Sequence, residues 1–332
     1  MRKILLISIG FLISFFVTGC GKYGEEDLIK DLSKKINESS GYYLTGELEM
    51  LNNEESYKYD VCVSYSKKDK FKVSLKNQIN NHEQIILRNA DGVYVLTPSL
   101  NKSFKFQSDW PYNNSQSYLL QVIMSDINSD SGRNFNETED GYIITSKVNY
   151  SNNQNLTNQM VYVDKKVNIN KVEVLDNNGV VKIRMIFKSI DLNSTFNDDY
   201  FKLETCMESA NVEQDSKPVI NIDEIIFPMY IPDDTYLSGQ EKLYIDEGER
   251  VILTFAGDKP FVVVQETVKA GDDMIVSMTG EPLMILDTIG SMSNNSLTWI
   301  SNGIEYYISS NSLNQSELLD VANSLSVMPV GK

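Results

Sequence analysis

The chain is poor in the residues from which catalytic and metal sites are built. Among 332 residues there is one histidine, His82, and three cysteines, Cys20, Cys62 and Cys206. No two cysteines are spaced as a CxxC pair, so a zinc or thioredoxin-like motif is excluded. His82 sits in Asn80-Asn81-His82-Glu83, a polar turn, and reads as a solvated loop residue rather than a general base. The acidic pairs Asp198-Asp199, Asp233-Asp234 and Asp272-Asp273 stand beside turn residues, and no DxDxDG calcium loop occurs. Basic residues are scarce: 30 Lys and Arg face 46 Asp and Glu, a net charge of −16. Nucleic-acid binding needs a basic face against the phosphates, so no nucleic-acid partner is expected. These absences predict a non-enzyme with no cofactor and no metal.

One long apolar run is present, at the N-terminus. Met1-Arg2-Lys3 is basic, and residues 4–17, ILLISIGFLISFFV, carry no charge. The run is short for a transmembrane helix and suits a signal peptide. It ends in Val17-Thr18-Gly19-Cys20, which resembles the bacterial lipobox. That resemblance implies removal of residues 1–19 as a signal peptide, a diacylated Cys20 and a tether over 20–24. The protein would then sit on the outer face of a bacterial cytoplasmic membrane. Cys62 and Cys206 remain, as one disulfide or as two free thiols half buried on strands.

Residues 25–38 carry Leu28, Leu32 and Ile36 at four-residue spacing, with acids first and lysines later, which predicts a helix. Alternation then predicts antiparallel strands through Tyr42–Met50, Tyr57–Tyr65 and Phe71–Leu75. Asp91-Gly92 between Ile85–Leu87 and Val93–Leu96 predicts a hairpin. Ser103–Phe106 continues the strand pattern, Trp110-Pro111 breaks it, and Ser117–Ile127 has a helical stripe. Strands follow at Tyr142–Ile144, Met160–Val163, Val172–Leu175 and Ile183–Phe187. Residues 208–218, almost without apolar side chains, read as a linker between a domain at 25–207 and one at 219–332. In the second domain strands are expected at 242–245, 250–255, 261–267, 274–278, 283–286, 297–300 and 304–308. A capping box at Asn314–Glu317 then opens a last helix.

The fold class is α+β. The order of elements resembles the half-barrel of the LolA/LolB/RseB lipoprotein-localisation superfamily, an antiparallel sheet wrapped around helices. "ILRNADGVYVLTPSLNKSFKF" (86–106) is similar to that superfamily's hairpin, and "GDKPFVVVQE" (257–266) with "WISNGIEYYISSNSLNQSELLDVANSL" (299–325) resembles the small closing domain of Gram-positive sporulation lipoproteins. Together they resemble the YdcC-like sporulation lipoproteins, related to clostridial GerS. The resemblance implies a tethered, non-catalytic binding or scaffold module in spore-envelope formation or germination. Its partner would be a cell-wall amidase or another envelope protein. A lipid held in an apolar cavity is the alternative. Phe104, Phe106, Trp110 and Tyr112 are the candidate binding residues; core packing of the two phenylalanines and a structural turn at Trp110-Pro111 form the competing reading.

Overall fold

The computed structural model describes residues 23–52, 55–210, 221–245, 248–268, 274–285 and 287–325. Cys20, the signal peptide, Asp272-Asp273 and positions 211–218 of the expected linker lie outside these residues.

The chain opens with helix α1 (Glu25–Glu38), whose Leu28, Ile29, Leu32 and Ile36 are buried. Its first-turn acids favour the helix N-terminus. Lys35 at the other end donates to the carbonyls of Lys166 and Val167 at 2.8 and 2.9 Å, tying the helix to the sheet. Six strands follow as a meander: β1 (Gly41–Asn52), β2 (Glu55–Ser66), β3 (Lys70–Asn77), β4 (Glu83–Asn89), β5 (Gly92–Thr97) and β6 (Lys102–Phe106). Helix α2 (Leu120–Ser129) intervenes, then β7 (Asn134–Glu137), β8 (Gly141–Lys147), β9 (Leu156–Asp164), β10 (Ile169–Asp176) and β11 (Val181–Asp191). β11 returns to pair with β1. At that crossing the register shifts by one residue beside Gly46, where a Cβ would collide with the Ile186 carbonyl and the Met185 methyl.

The result is an open, half-barrel-like sheet wrapped around α1 and α2. Strand β3 alternates strictly between buried and half-buried positions, as a sheet packed on one face must. β4 and β5 do not alternate, because both their faces are covered. Ile86, Val93 and Val95 face the helices, while Ile85, Leu87, Tyr94 and Leu96 meet Phe201, Cys206 and Met207 on the other side. The latter group lies on a strap that runs through a 3-10 turn (Asp198–Phe201) into helix α3 (Leu203–Ala210). Asn89 holds the strap by donating to the Phe201 carbonyl at 3.0 Å, and Ser64 bonds the Tyr200 hydroxyl at 2.9 Å. Two expectations are corrected here. Residues 208–210, read as linker, complete a helix; and Cys206 is a buried helical residue, not a strand residue. Cys62 and Cys206 are not joined in a disulfide.

The second sheet contains β12 (Thr235–Ile245), β13 (Gly248–Gly257), β14 (Phe261–Thr267), β16 (Glu281–Ile285), β17 (Thr288–Met292), β18 (Ser296–Ser301) and β19 (Ile304–Ser309). Their order is β12-β13-β14-β19-β18-β17-β16. Cross-strand pairs Phe255–Phe261 and Trp299–Tyr306 stack at 4.2 and 5.1 Å. Helix α4 (Gln315–Ser324) packs on it through Leu318, Leu319, Val321 and Ala322, and its capping box forms as expected, Glu317 N donating to Asn314 Oδ1 at 3.0 Å.

The strand at Met274–Met278, β15, departs from expectation. It leaves its own half of the chain and adds to the first sheet, parallel to β6, pairing Val276 with Phe104 and Met278 with Phe106. It is the sole parallel ladder among the described strands. Side-chain bonds elsewhere also join the two halves: Gln84 Oε1 accepts from Thr288 Oγ1 at 3.0 Å and from Ile289 N at 2.6 Å, and Asn155 donates to Ser316 Oγ at 3.2 Å.

Candidate functional site: a cavity between the two sheets

β1 and β2 are twelve residues long, roughly 40 Å at a strand's rise. The helices inside the half-barrel are shorter: fourteen residues in α1 and ten in α2, about 21 and 15 Å. They fill one part of the concavity with Leu28, Leu32, Ile123 and Ile127 and cannot reach all of it. The uncovered part is a cavity of about 530 Å³.

Its floor is the half-barrel's own apolar face: Leu48 and Met50 of β1, Tyr57 of β2, Ile86 of β4 and Ile183 of β11. Tyr118, Tyr150 and Leu156 close one side. The second sheet supplies the roof through Leu283, Met284 and Ile289, and α4 adds Leu319, Asp320 and Asn323. Burial raises the phenols of Tyr118 and Tyr150, so both line the cavity as neutral hydroxyls. The rim is rich in uncharged amides, among them Asn114, Gln116, Asn152, Asn155 and Asn178. Lys182 is neutralised by Asp176 at 3.8 Å. The Asp320 carboxyl is raised by desolvation, with Glu317 adding to it. Such walls suit an apolar group carrying an uncharged polar end.

None of the four residues singled out from the sequence lines this cavity. Trp110 is 1% exposed. Its ring meets Phe71 edge-on at 6.0 Å, and its carbonyl accepts from Arg88 Nη1 at 2.6 Å. Arg88 in turn grips Asp69 Oδ2 at 3.0 and 2.8 Å. Trp110 is thus a core residue, and the chain turns around it at the cis Trp110–Pro111 bond. Tyr112 is 59% exposed, but its hydroxyl donates to Asp69 at 2.5 Å and Arg88 lies 5.3 Å over its ring. Phe106 is buried and Phe104 half-buried on the same inward face, beneath the β6–β15 seam. The cavity residues were missed because Met50, Tyr57 and Ile183 alternate like any core position; no local pattern marks a core position left without a neighbour.

His82 borders a smaller recess of about 260 Å³ with Asp287 and Ser301, where Asp287 accepts from Ser301 Oγ at 3.0 Å. Among the described residues no group of three or more His, Cys, Asp or Glu is placed to hold a metal ion. No helix of the described residues is long and apolar enough to cross a membrane.

Fold and cavity together define a β-rich, two-sheet protein with an apolar concavity. The chain belongs to the YdcC-like sporulation protein family, whose model matches residues 1–201. It is 32% identical over 328 residues to the sporulation protein YdcC of Bacillus subtilis (strain 168), covering 98% of this chain and 97% of that one. Among solved structures, MucB is 12% identical over 90% of this chain and 96% of its own, with a TM-score of 0.34. The CwlD amidase–GerS lipoprotein complex of Clostridioides difficile contains a chain 18% identical over 54% of this chain and 100% of its own, with a TM-score of 0.31. Scores this low carry no functional argument.

Proposed function

We propose that this sporulation-family protein is a non-catalytic binding module of the spore envelope, held at the outer face of the cytoplasmic membrane of a Gram-positive bacterium through diacylated Cys20. The observation that carries the reading is the cavity: apolar walls, an amide rim and neutral tyrosines, in a family of sporulation proteins. Its partner is a protein of the envelope, with a cell-wall amidase first among the candidates, as the sequence resemblance to sporulation lipoproteins suggests. The apolar walls equally favour a second occupant, a lipid tail, and the two are separated by experiment.

The test is capture from sporulating cells in mild detergent, identifying bound proteins and lipids together. Ile183→Trp places a large ring in the cavity. It should abolish capture while the thermal melt stays near that of the wild type. Undiminished capture by this variant would remove the cavity from the function. Cys20→Ala should release the protein from membranes or leave its precursor uncleaved; wild-type fractionation and migration would refute the anchor.

A further inference from the structure

We infer that the free edge of the second sheet, β12, is a docking strand for a basic, extended polypeptide segment of a partner protein. The four sheet edges are unlike one another. β7 has four residues, and β15 and β16 have five each, but β12 has eleven. Among the described residues nothing pairs with its outer side. It also carries Tyr236, Leu237, Leu243 and Tyr244 as exposed side chains, Tyr244 at 83%. An edge this long and apolar offers unpaired backbone groups to an added strand.

The geometry limits what can add. Ser238 is an extra residue between Leu237 and Gly239 against β13, so the regular ladder runs over Gly239–Ile245. Gln240 and Lys242 lie opposite buried Leu253 and Val251, which puts Glu241 and Leu243 on the outer face. A second copy fits poorly. A two-fold axis at Glu241 or Lys242 opposes like charges, one at Gln240 meets the bulge, and one at Leu243 leaves a ladder only from Glu241 to Ile245.

Charge selects the partner. Between residues 221 and 245 Asp223, Glu224, Asp233, Asp234 and Glu241 are all exposed, against the single cation Lys242. Lys242 is already held by Glu249 at 2.8 Å and by the Ile222 carbonyl at 3.0 Å. The nearby cations Arg250 and Lys259 are paired with Glu266 and Glu317. A strand alternating lysine or arginine with apolar residues would satisfy the edge backbone, with its cations on the outer face beside Glu241 and its apolar side chains on the other face over Tyr244.

The test uses a fluorescein-labelled heptapeptide alternating valine and lysine, titrated onto the full chain in detergent. Binding should weaken with salt and fall at least about tenfold in Glu241→Lys, whose exposed position leaves the melt unchanged. N-methylation of alternate amides should abolish binding in one of its two registers and spare it in the other, as adding a strand requires. No binding, or equal binding of both methylated peptides, would overturn the proposal. So would a dimer formed without peptide and lost in Glu241→Lys, which would assign the edge to a second copy. The inference is independent of the cavity: Ile183→Trp should bind this peptide as the wild type does.

Discussion

Trp110→Ala separates a structural corner from a binding site. The indole is almost completely buried, and a buried tryptophan hides about 150–250 Å². At about 25 cal/mol per Å² that burial contributes roughly 4–6 kcal/mol. Truncations of this kind, with the cavity they leave, cost about 3–5 kcal/mol in practice. The Arg88 bond survives, because it is made to the backbone carbonyl of residue 110. For a folding unit of this size each kcal/mol moves the midpoint by about 2–4 °C, so the melt should fall by roughly 6–20 °C. Tyr112→Phe gives the contrast. It removes one hydroxyl bond to Asp69 from an exposed ring and should cost about 0.5–1 kcal/mol. Circular dichroism melts and partner capture are measured on both variants. A Trp110→Ala protein that melts within about 2 °C of wild type yet loses its partner would refute the core assignment.

The remaining predictions concern the linker, one carboxyl and the thiols. Proteolysis within 211–218 should leave the two fragments together on gel filtration until denaturant is added, because β15 lies in the first sheet; spontaneous separation would mean that the seam is weak. Burial raises Asp126 from 3.8 to about 6, although Ser115 opposes the shift. The folded state therefore binds this proton more tightly, and the stability it contributes is full below 3.8 and lost as pH rises through about 6. Asp126→Asn should raise the melting temperature relative to wild type at pH 8 and change it little at pH 4; equal differences at both values would refute this. In a thiol-reagent assay Cys62 should react in the native state and Cys206, fully buried, only on unfolding.

Most of the first sheet was legible because each strand carries its own burial record. Tyr57 to Tyr65 alternates, and Ile85-Ile86-Leu87 does not, which is what coverage of one face or both produces. β17 was illegible for the opposite reason: Thr288, Gly290 and Ser291 are buried without being apolar, so no pattern announces them. β7 holds a single large apolar residue, Phe135, and α3 is only eight residues long. β15 was read correctly as a strand and assigned to the wrong sheet, since pairing across some 170 residues leaves no mark within Met274–Met278. The cavity lies further from the sequence still, because it is set by the difference between strand and helix lengths and by what the second sheet roofs.

The parallel strand also makes the two halves thermodynamically interdependent. The cavity roof, Leu283 to Ile289, follows β15 within a few residues, so seating that strand and completing the cavity are one equilibrium. A ligand held by both floor and roof binds the seated state and must stabilise it by its differential affinity; reciprocally, loosening β15 weakens the ligand by the same factor. Amide exchange at Ile275–Met278 would then slow when the cavity is occupied, although no ligand touches those residues. A short strand at the sheet's margin would report on a site it does not line.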